Sequence, residues 1–141
     1  MVILFDYYNM PDDIFSIIFA TKQQIIVAKL LIEKIKENNG FFGKTEMSRF
    51  ATLLHEGELI TELQLSPIKK KKVKLSYNKR QFYDRILTPM KSMGLIDYNL
   101  YKKQYVLSDR FNKAMIKIGL MWLQELRKPF KQLDSKRPPI A

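Results

Sequence analysis

Five lysines lie within six residues, Lys69 to Lys74, inside the stretch PIKKKKVKLSYNKRQFYDRILTPMKSMGLIDYNLYKKQYVLSDRF. The chemistry open to such a run is neutralisation of a row of phosphates, which releases condensed counterions and makes affinity fall with salt. Behind it come an amide- and guanidinium-bearing segment, with Asn78, Gln81 and Arg85, and a tyrosine-rich segment with Tyr98, Tyr101 and Tyr105. A solvated loop is the plain alternative for the lysines.

Covalent chemistry has little support. There is no cysteine, which removes disulfides, thiolate zinc sites and iron–sulfur ligation. His55 is the single histidine, with only Glu56 and Glu58 beside it. A surface or helix-end histidine fits it better than a metal ligand. Asp12-Asp13 sit where a helix begins and need no catalytic role. No Gly-rich phosphate loop, nucleophile elbow or His-Glu-x-x-His pattern occurs. The expectation is a protein without enzymatic activity, metal, cofactor or small-molecule ligand. Trp122 with Phe111 and Met115 could line a ligand pocket, but such a stripe is more often core or dimer interface.

Charge points the same way. Residues 1–62 hold 6 Lys+Arg against 9 Asp+Glu, a net −3, whereas residues 63–141 hold 19 against 5, a net +14. No acid falls between Pro67 and Arg80, unlike the interleaved charges of an ordinary solvated surface. This asymmetry fits a nucleic-acid or anionic-membrane binder. No segment has the ~18 uninterrupted apolar residues of a membrane span. The start MVILFDYYNMPDD does not read as a secretory signal, so a cytoplasmic protein is expected.

Several elements must position these groups. An apolar arm, 1–10, precedes a single domain, 11–128, and a basic tail, 129–141. Asn9 and Pro11-Asp12-Asp13 mark a helix start, and the helical pattern runs from Ile14 to about Lys36 with a restart at Thr21. Its stripe is Ile25, Ala28, Ile32 and Ile35. Gly40 closes it, and Phe41-Phe42 fits a very short strand. A second helix from Thr45 carries Met47, Phe50, Ala51 and Leu54 at i, i+3, i+4, i+7. ELITELQLSP fits a helical turn or an alternating strand equally. Ser76 is a good N-cap for a third helix, 76–93, stopped by Gly94, with Pro89 bending it. Tyr83, Ile86, Leu87 and Met90 are its inner face, with Phe82 at the margin. LIDYNL and QYVLS are two strands with Tyr101-Lys102-Lys103 near their turn. Ser108 caps a last helix, to about Lys128, apolar on two sides: Phe111, Met115, Ile118 and Trp122 on one, Ile116, Leu120 and Leu123 on the other. A helix apolar on two sides is buried on two sides, so one side needs a partner.

The order helix, short strand, helix, helix, ribbon, helix resembles the winged helix-turn-helix family, over roughly residues 22–126. Met90, Gly94, Leu95, Ile96, Leu107 and Ser108 carry the likeness: the end of a recognition helix, a wing, and a Leu-Ser turn into the next helix. It is similar to small archaeal and viral transcription regulators of that class. The expected fold class is α+β, mainly α with a small β-wing. The departure is residues 56–75, an insertion or long connector where the family has a few residues.

The resemblance implies a sequence-specific double-stranded DNA binder that regulates transcription, with helix 76–93 in the major groove and wing 97–107 on the backbone or minor groove; the doubly apolar last helix points to a homodimer. Asn78, Gln81 and Arg85 are then candidate base readers. Candidate backbone contacts are Lys69, Lys70, Lys71, Lys72, Lys74, Tyr77, Lys79, Arg80, Lys102 and Lys103. Phe111, Met115, Ile118 and Trp122 are the candidate dimer interface. An ordinary polar helix face is the plain alternative for the base readers, and cross-strand packing for the tyrosines. The rival functions are a protein-interaction module and an architectural or RNA-binding protein.

Overall fold

The computed structural model describes residues 5–64 and 70–129. The chain is α+β, with a helical body, two small antiparallel sheets and a long C-terminal helix. No helix among the described residues is long and apolar enough to cross a membrane.

Local capping sets the first boundaries. Asp13 accepts the Phe15 amide and pairs with Lys29, starting the short helix α1, Ile14–Ile18. Lys29 holds the Asp13 carboxyl below its ordinary range. Thr21 and Gln24 form a capping box that starts α2, Lys22–Glu37, so the restart at Thr21 is a full break between two helices. The buried face of α2 is centred on Val27, Leu31 and Ile35, while Ile25 and Ile32 stay half-buried. Asn39 and Gly40 both turn left-handed and end it. Strand β1, Phe41–Gly43, runs straight into α3, Lys44–His55, where Glu46 accepts the Gly43 amide at 3.0 Å. Met47, Phe50, Ala51 and Leu54 are all buried, as their spacing requires.

The described part of residues 56–75 is mostly strand, not a loop or a helical turn. It carries a hairpin of β2, Leu59–Gln64, and β3, Lys70–Leu75, paired Leu59↔Leu75 through Gln64↔Lys70. Alternation decides between the two periods: Leu59 packs on the core and Leu75 is buried within it, which anchors the open end of the hairpin.

The next helix starts later than Ser76. Asn78 is the cap, its Oδ1 accepting from the Gln81 amide at 3.1 Å, while the Ser76 carbonyl accepts from Gln23 Nε2. The helix runs as α4, Lys79–Phe82, a π-helical stretch, Tyr83–Leu87, and α5, Thr88–Ser92. Pro89 has no N–H for the ladder, and the chain absorbs this one turn earlier, where the Thr88 amide reaches the Tyr83 carbonyl. The wide turn places Phe82 and Leu87 on one face. Phe82 is therefore central to the core with Ile86, Leu87 and Met90, and Tyr83 is the marginal residue.

Gly94, at φ +84°, ends this helix. Strands β4, Ile96–Asn99, and β5, Gln104–Leu107, form a ribbon, and β1 adds to β5, giving the order β1–β5–β4. Ile96 is the fully buried residue of the ribbon, while Leu95 is half-buried. The final helix, α6, spans Arg110–Arg127, and Ser108 Oγ accepts the Arg110 amide.

Candidate nucleic-acid interface

The described lysines of the run, Lys70 to Lys74, lie on a strand and not in the expected loop. Strand alternation puts Lys70, Lys72 and Lys74 on the outer face, about 7 Å apart along the strand. Lys71 shares the other face with half-buried Val73 and buried Leu75. Across the ladder Lys74 opposes Ile60 and Lys72 opposes Glu62. Lys70, Lys71, Lys72 and Lys74 are exposed, and among the described residues none of them forms an ion pair. Lys69 lies outside the described residues. The hairpin borders α2, where Glu33 and Lys34 line a groove with Ile60, Glu62 and Lys72.

Helix 79–92 carries Gln81 and Arg85 on its exposed side, with Arg80, Asp84 and Thr88. Two sequence expectations need correction here. Tyr77 is only 7% exposed, and its hydroxyl accepts from Gln24 Nε2, so it is a core residue and not a backbone contact. The Asn78 oxygen is committed to its cap, which leaves only a donor and removes bidentate adenine recognition. Lys79 is half-buried and braces the helix against α3: its amide donates to His55 Nδ1 at 3.1 Å and its Nζ to Thr52 Oγ1 at 3.0 Å. Arg80 is free to reach outward, apart from a loose pairing with Asp84 at 3.8 Å. Asp84 puts a negative charge on this face that the basic reading of the segment overlooked.

The ribbon sides with packing for two of its tyrosines. Tyr98 and Tyr105 are direct cross-strand partners with ring centres 4.8 Å apart. Burial, then Tyr83 and Tyr98, push the Tyr105 hydroxyl above its ordinary range. Two lysines that sequence reasoning missed converge here. Lys91 Nζ sits 5.8 Å and 5.6 Å from the Tyr98 and Tyr105 rings, and Lys44 Nζ sits 5.7 Å from Tyr98. Among the described residues neither lysine has an ion-pair partner. Lys91 is three residues beyond Thr88, so the helical period of the exposed face held its signal. Lys44 had none, because its place follows from the β1–β5 pairing. Lys102 and Lys103 stand exposed on the turn between the strands, Lys103 at φ 53°.

The four candidate interface residues of α6 divide in two. Phe111 and Met115 are half-buried at the base of the helix, lining an apolar groove of about 190 Å³ with Ile14, Ile18 and Met93. Ile118 and Trp122 are exposed, Trp122 at 64%, together with Ile116, Leu120, Met121 and Leu126. No residue of α6 is buried.

No protein-family profile, curated protein or solved structure matches the chain.

Proposed function

We propose that this chain is a winged helix-turn-helix protein that binds double-stranded DNA as a homodimer and regulates transcription. The observation that carries the reading is the strand order β1–β5–β4, in which the ribbon follows directly on helix 79–92. An exposed helix face with Gln81, Arg85 and Lys91 thus stands beside a ribbon tipped by Lys102 and Lys103. Gln81 and Arg85 read bases from the major groove, and Arg80, Lys91, Lys102 and Lys103 hold phosphates. The β2–β3 hairpin replaces the short turn usual between the two helices and carries Lys70, Lys72 and Lys74 as a second basic strip.

Dimerisation uses the free part of α6. Six large apolar side chains exposed on one helix cost too much in water to be left without a partner. A second copy brings an identical face, and two recognition helices then lie about one DNA turn apart on a pseudo-palindrome.

Asp84 favours one other reading, a protein-docking module, since a carboxylate in mid-face suits a protein surface better than a phosphate backbone. Competition among duplex DNA, single strands and structured RNA tests the proposal. Duplex competes best if it holds, and Arg85→Ala relaxes base preference in a sequence selection. Absence of duplex binding at low salt favours docking; preference for RNA contradicts the duplex reading.

A further inference from the structure

The turn of the ribbon exposes apolar surface where polar residues are the norm. Strand β4 ends at Asn99, β5 begins at Gln104, and the two residues are paired. Leu100, Tyr101, Lys102 and Lys103 make the turn between them. Leu100 is 77% exposed and Tyr101 is 99% exposed.

This turn is built and not slack. Asn99 Oδ1 accepts two backbone amides, from Tyr101 at 3.0 Å and Lys102 at 3.1 Å. Such a side-chain turn fixes the chain just where Leu100 and Tyr101 project. Lys103 closes the turn in the left-handed region. The ribbon beneath is tied down by the Tyr98–Tyr105 pair and by Arg110, which meets Asp97 at 3.4 Å. An apolar pair is thus held at the far end of a braced ribbon, with two cations next to it in sequence.

We propose that Leu100 and Tyr101 form a wedge that enters a base step from the minor groove and kinks the duplex. Apolar side chains used this way partly unstack a step and bend the DNA by on the order of 20–90°. Lys102 and Lys103 hold the flanking phosphates. The occupant is duplex DNA and not a lipid surface because the cations stand beside the apolar pair on a narrow two-stranded tip. That shape suits a groove about 6 Å wide. The inference rests on the DNA-binding reading above and adds a specificity to it. Pyrimidine–purine steps unstack most easily, so the wedge prefers TA steps to stiff A-tracts without touching base edges.

The test uses the full chain and two duplexes of equal length, one of alternating TA steps and one an A-tract, each with 2-aminopurine replacing an adenine. Wild type binds the alternating duplex about tenfold more tightly and raises its 2-aminopurine fluorescence. Leu100→Ser with Tyr101→Ser abolishes both effects while leaving the salt slope unchanged. Both positions are exposed, so the variant folds, as a circular-dichroism melt verifies. Lys102→Gln with Lys103→Gln weakens both duplexes alike and flattens the slope. Equal binding of the two duplexes by wild type, or a preference kept by the serine variant, overturns the wedge and leaves the DNA-binding reading standing. No binding of either duplex at low salt overturns both. A serine variant that binds DNA normally but loses binding to phosphatidylcholine–phosphatidylserine vesicles assigns the tip to a membrane and also overturns the wedge.

Discussion

Lys91 Nζ lies 5.6 Å from the ring centre of Tyr105, and from this contact a charge on the helix is fixed against the ribbon. Lys44 reaches the same aromatic pair from the start of α3. The start of α3, distant in sequence, and the end of the helix just before the ribbon thus each bring a cation to the tyrosine pair, and among the described residues no acid pairs with either. Two cations near one aromatic pair, with no described acid to neutralise them, add positive potential to this part of the surface.

Removal of these charges therefore weakens duplex binding without unfolding the protein. Lys44→Gln with Lys91→Gln lowers affinity at moderate salt, and the log–log salt slope falls by about one for each phosphate left unneutralised. The melting temperature hardly moves, because exposed cation–π contacts are worth only about 0.5–1 kcal/mol. Anisotropy titrations at several salt concentrations measure the first effect, and a thermal melt the second.

The free part of α6 gives a separate outcome. Trp122→Glu with Ile118→Glu places charges on two exposed apolar positions. The variant keeps its fold and sediments as a monomer, while wild type sediments as a dimer. Loss of the dimer also weakens binding to a two-half-site duplex far more than binding to a single half-site.

Of the five glycines, Gly94 leaves the least room for a side chain. At φ +84° an added Cβ stands 2.8 Å from the Phe111 amide nitrogen and 2.9 Å from Arg110 Cβ. The Phe111 amide meanwhile donates to the Gly94 carbonyl at 3.0 Å, so the start of α6 closes directly on this residue. Gly94→Ala costs on the order of 2–3 kcal/mol through strain and the forced displacement of α6. Urea denaturation reads it as a lower midpoint.

Much of this architecture was legible because it is local. The spacing of Met47, Phe50, Ala51 and Leu54 fixes the inner face of α3, and Gly94 with Leu95 and Ile96 marks the change from helix to ribbon. What escaped was decided by distant contacts or by register. ELITELQLSP fits two periods, and it becomes β2 because Leu59 can pair with Leu75 and pack on the core. The same pairing draws Lys70 to Lys74 out of the expected loop. Asn78 looked like a reader because capping and reading use the same polar atoms. Tyr77 looked like a contact because its place in the core, where its hydroxyl meets Gln24, is set by residues far away in sequence. The π turn before Pro89 moved Phe82 from margin to centre, since a 3.6-residue period cannot anticipate an inserted residue. Lys44 was invisible until β1 joined β5.

Duplex binding itself is read by fluorescence anisotropy of a labelled random duplex titrated with the full chain at several salt concentrations. The expected result is tight binding at low salt with a steep log–log slope. Lys70→Gln, Lys72→Gln and Lys74→Gln together should flatten that slope by roughly two to three. No binding to duplex at low salt would rule out the DNA-binding reading and direct the basic strand and helix 79–92 toward an acidic protein partner.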